Sequence, residues 1–171
     1  MADSQILLAE HDGVYVLKLV GNVRFTICHI LDNALCDIVE KSTQPVVVDL
    51  TQATMLDSTT LGVLAQIAIS GKDRFGVRPN ILVSNSDVKR ILLGVCFDQV
   101  FSILEKEEAS GVDGFVFSAI DDNLQADEAE LQEKVLNAHR TLCDLSEKNR
   151  DTFQNVLETL EEQAKQSKKD K

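Results

Sequence analysis

A chain of 171 residues and 18.9 kDa holds one ordinary domain of roughly 100 to 150 residues plus an extension, and is short for two full domains. Apolar residues at 44% and charged residues at 26% match globular usage and exclude a wholly disordered chain. The 17 Lys and Arg against 28 Asp and Glu give a formal charge of −11, which repels nucleic-acid backbones and anionic membranes.

Aromatics at 5%, with no Trp and one Tyr, leave little material for stacking on single-stranded nucleic acid, so a protein partner or a small ligand remains. The cysteines, Cys28, Cys36, Cys96 and Cys143, form no CxxC pair and share no spacing with His, so neither zinc nor dithiol chemistry is suggested. Cys28 and Cys36 fall in an apolar helical pattern and read as buried thiols. The N-terminus lacks a basic region followed by a continuous apolar stretch, and no run approaches about 18 uninterrupted apolar residues. A cytoplasmic protein with reduced cysteines is expected, with no membrane and no direct nucleic-acid contact.

Two β-rich runs, Gln5 to Ala9 and Val14 to Leu19, flank the turn signal His11-Asp12-Gly13 and predict an antiparallel hairpin. After Gly21-Asn22 the period turns helical: Phe25, Cys28, Ile30, Leu31, Ala34, Leu35, Ile38 and Val39 recur at three- and four-residue steps. Pro45 to Leu50 is apolar on successive positions, as befits a central parallel strand covered on both faces. A six-residue connection leads to Asp57 and a helix from Ser58 to Ile69, which Gly71 is expected to end. The alternation continues with a strand at Pro79 to Ser84, a helix at Asp87 to Leu93 and a strand at Val100 to Leu104. The fold class is therefore α/β, with a mixed sheet of about five strands, an N-terminal antiparallel hairpin and the remainder largely parallel.

Glu105 to Asp122 is transitional and contains Gly114-Phe115-Val116-Phe117, an apolar patch able to dock on the domain. From Leu124 to about Lys165 neither proline nor glycine occurs, and Leu131, Val135, Ala138, Leu142, Leu145, Val156 and Leu160 form a near-heptad stripe interrupted at Asn149. One long helix or a helical hairpin is expected there, with Gln166 to Lys171 frayed. The expected divisions are a domain over 1–110, a connecting segment over 111–123 and a helical extension over 124–171.

Strand, loop and the run Asp57-Ser58-Thr59-Thr60-Leu61-Gly62, together with Leu19-Val20-Gly21 before the first helix and Val88-Lys89-Arg90-Ile91-Leu92 in the third, resemble the STAS domain of anti-sigma factor antagonists. The resemblance extends from Val14 to about Leu104. It implies an anti-sigma factor antagonist of a bacterial partner-switching pathway. Unphosphorylated, such a protein binds an anti-sigma factor or similar regulator, and phosphorylation by a cognate serine kinase releases it until a serine phosphatase resets the state. By position the phosphoacceptor is Ser58, with Thr59 the lesser candidate. Asp57 and Thr59 shape its loop, while Thr60, Leu61 and Val63 with Arg24 border the docking face. Two departures stand out: Thr60 occupies a usual glycine position, and Arg24 a position often acidic.

The residues themselves allow the same chemistry. A hydroxyl uncovered at a helix start can receive about −1.5 to −2 charge where the helix dipole tolerates anions, so binding could change without a change of fold. The bland alternative is that Ser58 only caps its helix. Two further readings are an accessory subunit of a transporter ATPase, which STAS-like domains also serve as, and an oligomeric scaffold built through self-association of the tail.

Other chemistry finds no support. Ser58 is preceded by Leu56-Asp57 rather than by a nucleophile elbow, and His11, His29 and His139 read as surface or half-buried side chains. The eight glycines make no Walker or dinucleotide pattern, so no cofactor and no intrinsic catalysis are expected. Asp49 and Asp57 lack the acidic pair a receiver domain needs, and are expected to close the strand and support the turn. Lys89 and Arg90 with Arg74 and Arg78 read as solvated helix ends.

Overall fold

The computed structural model describes residues 4–105, 114–120 and 126–169. The expected boundaries between domain, connecting segment and extension fall outside these described residues, as do Lys171 and its neighbour at 170. Strands β1 (Gln5–His11) and β2 (Val14–Val23) pair antiparallel with His11 opposite Val14. The two-residue turn between them puts Asp12 and Gly13 at φ 51 and 77, the left-handed pair that a tight hairpin with native twist requires.

Helix α1 (Cys28–Lys41) follows a 3-10 turn at Phe25–Ile27, and buries Cys28, Ile30, Leu31, Leu35 and Ile38. Cys36, one position beyond that stripe, is exposed, which corrects its reading as a buried thiol. Strand β3 (Val47–Leu56) is longer than its apolar run. Thr51 to Leu56, expected as a connection, instead continues the ladder beside β2 through two register shifts, with Val20 opposite Gln52 and Val23 opposite Leu56. These residues mix exposed Gln52, Thr54 and Met55 with buried Ala53 and Leu56, so no clean period marked them as strand.

Helix α2 (Ser58–Phe75) runs past Gly71 and ends where Gly76, at φ 72, supplies a left-handed cap and donates its N–H to the Lys72 carbonyl. Strand β4 (Asn80–Val83), helix α3 (Ser86–Gly94) and strand β5 (Ser102–Glu105) complete the alternation. Phe97–Gln99 form a 3-10 turn, so the last strand starts two residues later than expected. Strand β6 (Ser118–Ala119) adds a short sixth strand against β1. The order is β5-β4-β3-β2-β1-β6, parallel from β5 to β2 and antiparallel beyond. β3 is central and parallel, as its sequence implies.

Asp49 lies within β3 rather than at its end. It is 4% exposed, faces Lys18 across the ladder at 3.5 Å, and accepts from the Thr51 N–H and hydroxyl. Lys18 also lies 5.3 Å from the centroid of the Phe117 ring, so Phe117 of the Gly114-to-Phe117 patch reaches β2, whereas Val116 is 86% exposed.

The extension is a hairpin of α4 (Glu128–Leu145) and α5 (Glu147–Lys169), broken at Ser146 rather than at Asn149. Ser146 caps α5 by accepting the Asn149 N–H, while Asn149 is buried and donates its side-chain amide to the Val95 carbonyl. Gln166 to Lys169 are helical instead of frayed. Val156, placed in the apolar stripe, is exposed; Phe153 packs toward the core from α5. From α4, Ala138 and Leu142 join the same core as the sheet.

Candidate functional site

The loop between β3 and α2 sits at the carboxyl ends of the parallel strands, where the chain stops extending and begins to coil. Asp57 does the capping. Its Oδ1 accepts from the Thr60 N–H at 2.8 Å, and its Oδ2 from the Phe25 N–H at 2.5 Å, tying α2 to the entry of α1. Its own N–H donates to the Val23 carbonyl at 3.3 Å. Ser58 is therefore the first helical residue and not the cap, and its hydroxyl is left over for other use.

That hydroxyl is taken by the extension. Ser58 is half-buried, and its Oγ lies 2.9 Å from Nε2 of His139 on α4. His139 is 3% exposed, with Nδ1 2.8 Å from the Val135 carbonyl. A carbonyl only accepts, so Nδ1 carries the proton; in the neutral ring Nε2 then accepts from the Ser58 O–H. Phe153 of α5 meets the imidazole edge-on, centroids 6.4 Å apart and planes at 74°, so the ring is held from three sides. The expectation of an uncovered hydroxyl is thus corrected: it is half-covered, by residues beyond the α/β unit. His139, expected to be a surface or half-buried histidine, is a buried partner of the serine.

Gly62 explains how α4 comes so close. A Cβ at Gly62 would stand 2.2 Å from the Ala138 carbonyl oxygen, so only glycine admits the α4 backbone there. One turn further, Gln66 donates to the Thr141 hydroxyl at 3.3 Å. Ser58, Gly62 and Gln66 are spaced by four and form the face of α2 turned to α4. On its other faces Leu61, Val63 and Leu64 enter the sheet core.

The seven expected site residues do not share one surface. Arg24 is exposed, with Nε 3.4 Å from the Asn22 side-chain oxygen. Asp57 and Ser58 are half-buried, while Thr59, Thr60, Leu61 and Val63 are at most 5% exposed. Thr60, Leu61 and Val63, placed at the rim of a docking face, are inside instead, because α2 is covered by the sheet on one side and α4 on the other. Two exposed apolar side chains at this end of the sheet, Phe25 at 45% and Met55 at 52%, flank the loop in their stead. Neither was singled out, since an isolated exposed apolar residue carries no pattern.

The local field is acidic. Burial, and then the carboxylates of Asp57 and Asp32, push the Cys28 thiol up to about 11, with Lys134 opposing. Lys134 itself bridges α4 to α1 through Asp32 at 3.0 Å and the Asn33 side-chain oxygen at 2.6 Å. Among the described residues no cluster of three His, Cys, Asp or Glu is placed to hold a metal ion, and no helix is long and apolar enough to cross a membrane.

Comparison with known families matches residues 5–110 to the STAS domain. The match takes in more than half of the chain, with β1 to β5 and α1 to α3, and the chain belongs to that family. The family takes in anti-sigma factor antagonists and parts of sulfate transporters; its members are in general regulators without catalysis of their own, and it points to protein–protein interaction. No curated protein matches the sequence.

Proposed function

We propose that the chain is an anti-sigma factor antagonist of a bacterial partner-switching pathway, which binds an anti-sigma factor or similar regulator while Ser58 is unphosphorylated and is released by its phosphorylation. The observation that carries this reading is the division of labour at the start of α2. Asp57 caps the helix, so the adjacent hydroxyl can be modified without loss of the cap. In the modification, Ser58 Oγ forms a bond to the γ-phosphorus of a nucleoside triphosphate held by the partner kinase. The bond from that phosphorus to the bridging oxygen breaks, the hydroxyl proton passes to a base of the kinase, and a nucleoside diphosphate leaves. A serine phosphatase reverses the state by hydrolysis.

Arg24, Phe25 and Met55 offer exposed surface beside the loop for the partner. Asp57 and Thr59 hold the loop's shape, and Thr60, Leu61 and Val63 support it from within. Phosphoserine would set a dianion beside the Asp57 carboxylate, and a loss of about 3 kcal/mol at the interface weakens binding by more than about 100-fold. Copurified partner should bind wild type and Ser58→Ala with similar affinity and Ser58→Asp at least about tenfold more weakly. Equal affinity for all three would end the proposal.

A further inference from the structure

We propose that the α4–α5 hairpin is an intramolecular mask on Ser58, docked only while that hydroxyl is unmodified, so that hairpin docking and phosphoserine exclude one another. The inference rests on the Ser58 reading above and adds to it the extension's role, which the STAS match at 5–110 does not reach.

Two observations on the same face of α2, and the charges around it, carry it. The Ser58 hydroxyl is within hydrogen-bond distance of His139, whose buried ring is held by the Val135 carbonyl and faced by Phe153. A phosphoryl group on Oγ adds a phosphorus and three oxygens where that ring stands. Gly62 meets the α4 backbone itself, so the docked hairpin depends on a close backbone approach that any outward shift to make space would give up. Lys134, on the same helix as His139, is already engaged with Asp32, Asn33 and Glu130. Asp57 meanwhile adds a like charge on the serine's own side.

A kinase must also reach the hydroxyl, and with the hairpin docked Oγ is half-buried and spent on His139. The hairpin therefore has to leave first, and the phosphate then keeps it from returning. The opening is local. Ala138 and Leu142 come off the core, whereas β2, β3 and α1 keep each other.

The test needs no partner. Full-length protein carrying phosphoserine at position 58, introduced during translation, is compared with wild type by hydrogen exchange. Amides of α4 and α5 should exchange about tenfold faster or more, with β2, β3 and α1 unchanged. Gly62→Ala should open the same two helices without any charge, because its new methyl meets Ala138. Gly94→Ala, whose Cβ would meet nothing within 4 Å, should not. Unchanged or increased protection of α4 in the phosphoserine protein overturns the mask, an increase meaning that imidazolium grips the phosphate. If Gly62→Ala unfolds the whole chain, the phosphoserine protein decides alone. If the hairpin opens on phosphorylation but partner capture is indifferent to it, the mask stands and the partner-switching reading fails.

Discussion

At Asp57 one carboxylate does two jobs: it caps α2 through Thr60 and anchors the backbone of Phe25, so the loop around Ser58 is braced from both sides. The charge is felt nearby, at the Cys28 thiol, which burial and then Asp57 raise to about 11 from 9.0. A raised thiol pKa means the folded state holds its proton more tightly. The stability this contributes is complete below pH 9 and is lost as pH climbs from there to about 11. At pH 8 only about one Cys28 in a thousand is thiolate, whereas Cys36 stands in solvent. Iodoacetamide at pH 8 should therefore label Cys36 first and leave Cys28 unmodified in the native protein, as read by peptide mass spectrometry. Equal labelling of the two would refute the buried, anion-flanked environment of Cys28.

Helix α2 shows why an element can be uncharged over its first fourteen residues. Ten of its residues are buried because it has no solvent face for most of its length, lying between the sheet and α4. Its end illustrates a separate rule. Gly71 sits against Pro79 and does not stop the helix, while Gly76 does, since it alone takes the left-handed conformation there. Gly76→Ala has free space for its methyl, so its whole penalty is conformational, about 1 kcal/mol. Urea unfolding should show a lower midpoint with unchanged slope; a midpoint equal to wild type would mean the cap is not strained by a side chain.

Seen whole, the molecule is an α/β unit with a hairpin packed on its core through Ala138 and Leu142 and joined to it by polar contacts that include the Ser58–His139 and Gln66–Thr141 bonds, the Asn149 amide on Val95 and the Lys134 bridge to α1. Such an appendage should open as a unit of its own. Lys134→Ala removes the bridge and leaves Asp32 half-buried without it, a loss of about 1 kcal/mol. Native-state hydrogen exchange should then show α4 and α5 amides exchanging several-fold faster, with β3 unaffected. Loss of protection across all elements together would mean that hairpin and sheet form one cooperative unit.

Much of the fold was legible because its signals are local. The Asp12-Gly13 turn, the apolar run through Val48 and the 3.6-residue stripe of α1 each specify an element whatever surrounds it. The second half of β3 was not legible, as its pairing with β2 depends on bulges rather than on a period. The Asp57-Ser58 junction could likewise be located from the chain alone, and membership of the STAS family with it. What covers that junction could not. His139 is 81 positions from Ser58, and neither residue carries a mark of the other; the one trace was a glycine, Gly62, in the middle of a good helix. Sequence by itself determined which segments extend and which coil, since backbone preference and apolar spacing act over a few residues. Only tertiary structure decided that the serine is masked, because that contact arises when two helices far apart in the chain approach closely enough for a missing Cβ to matter.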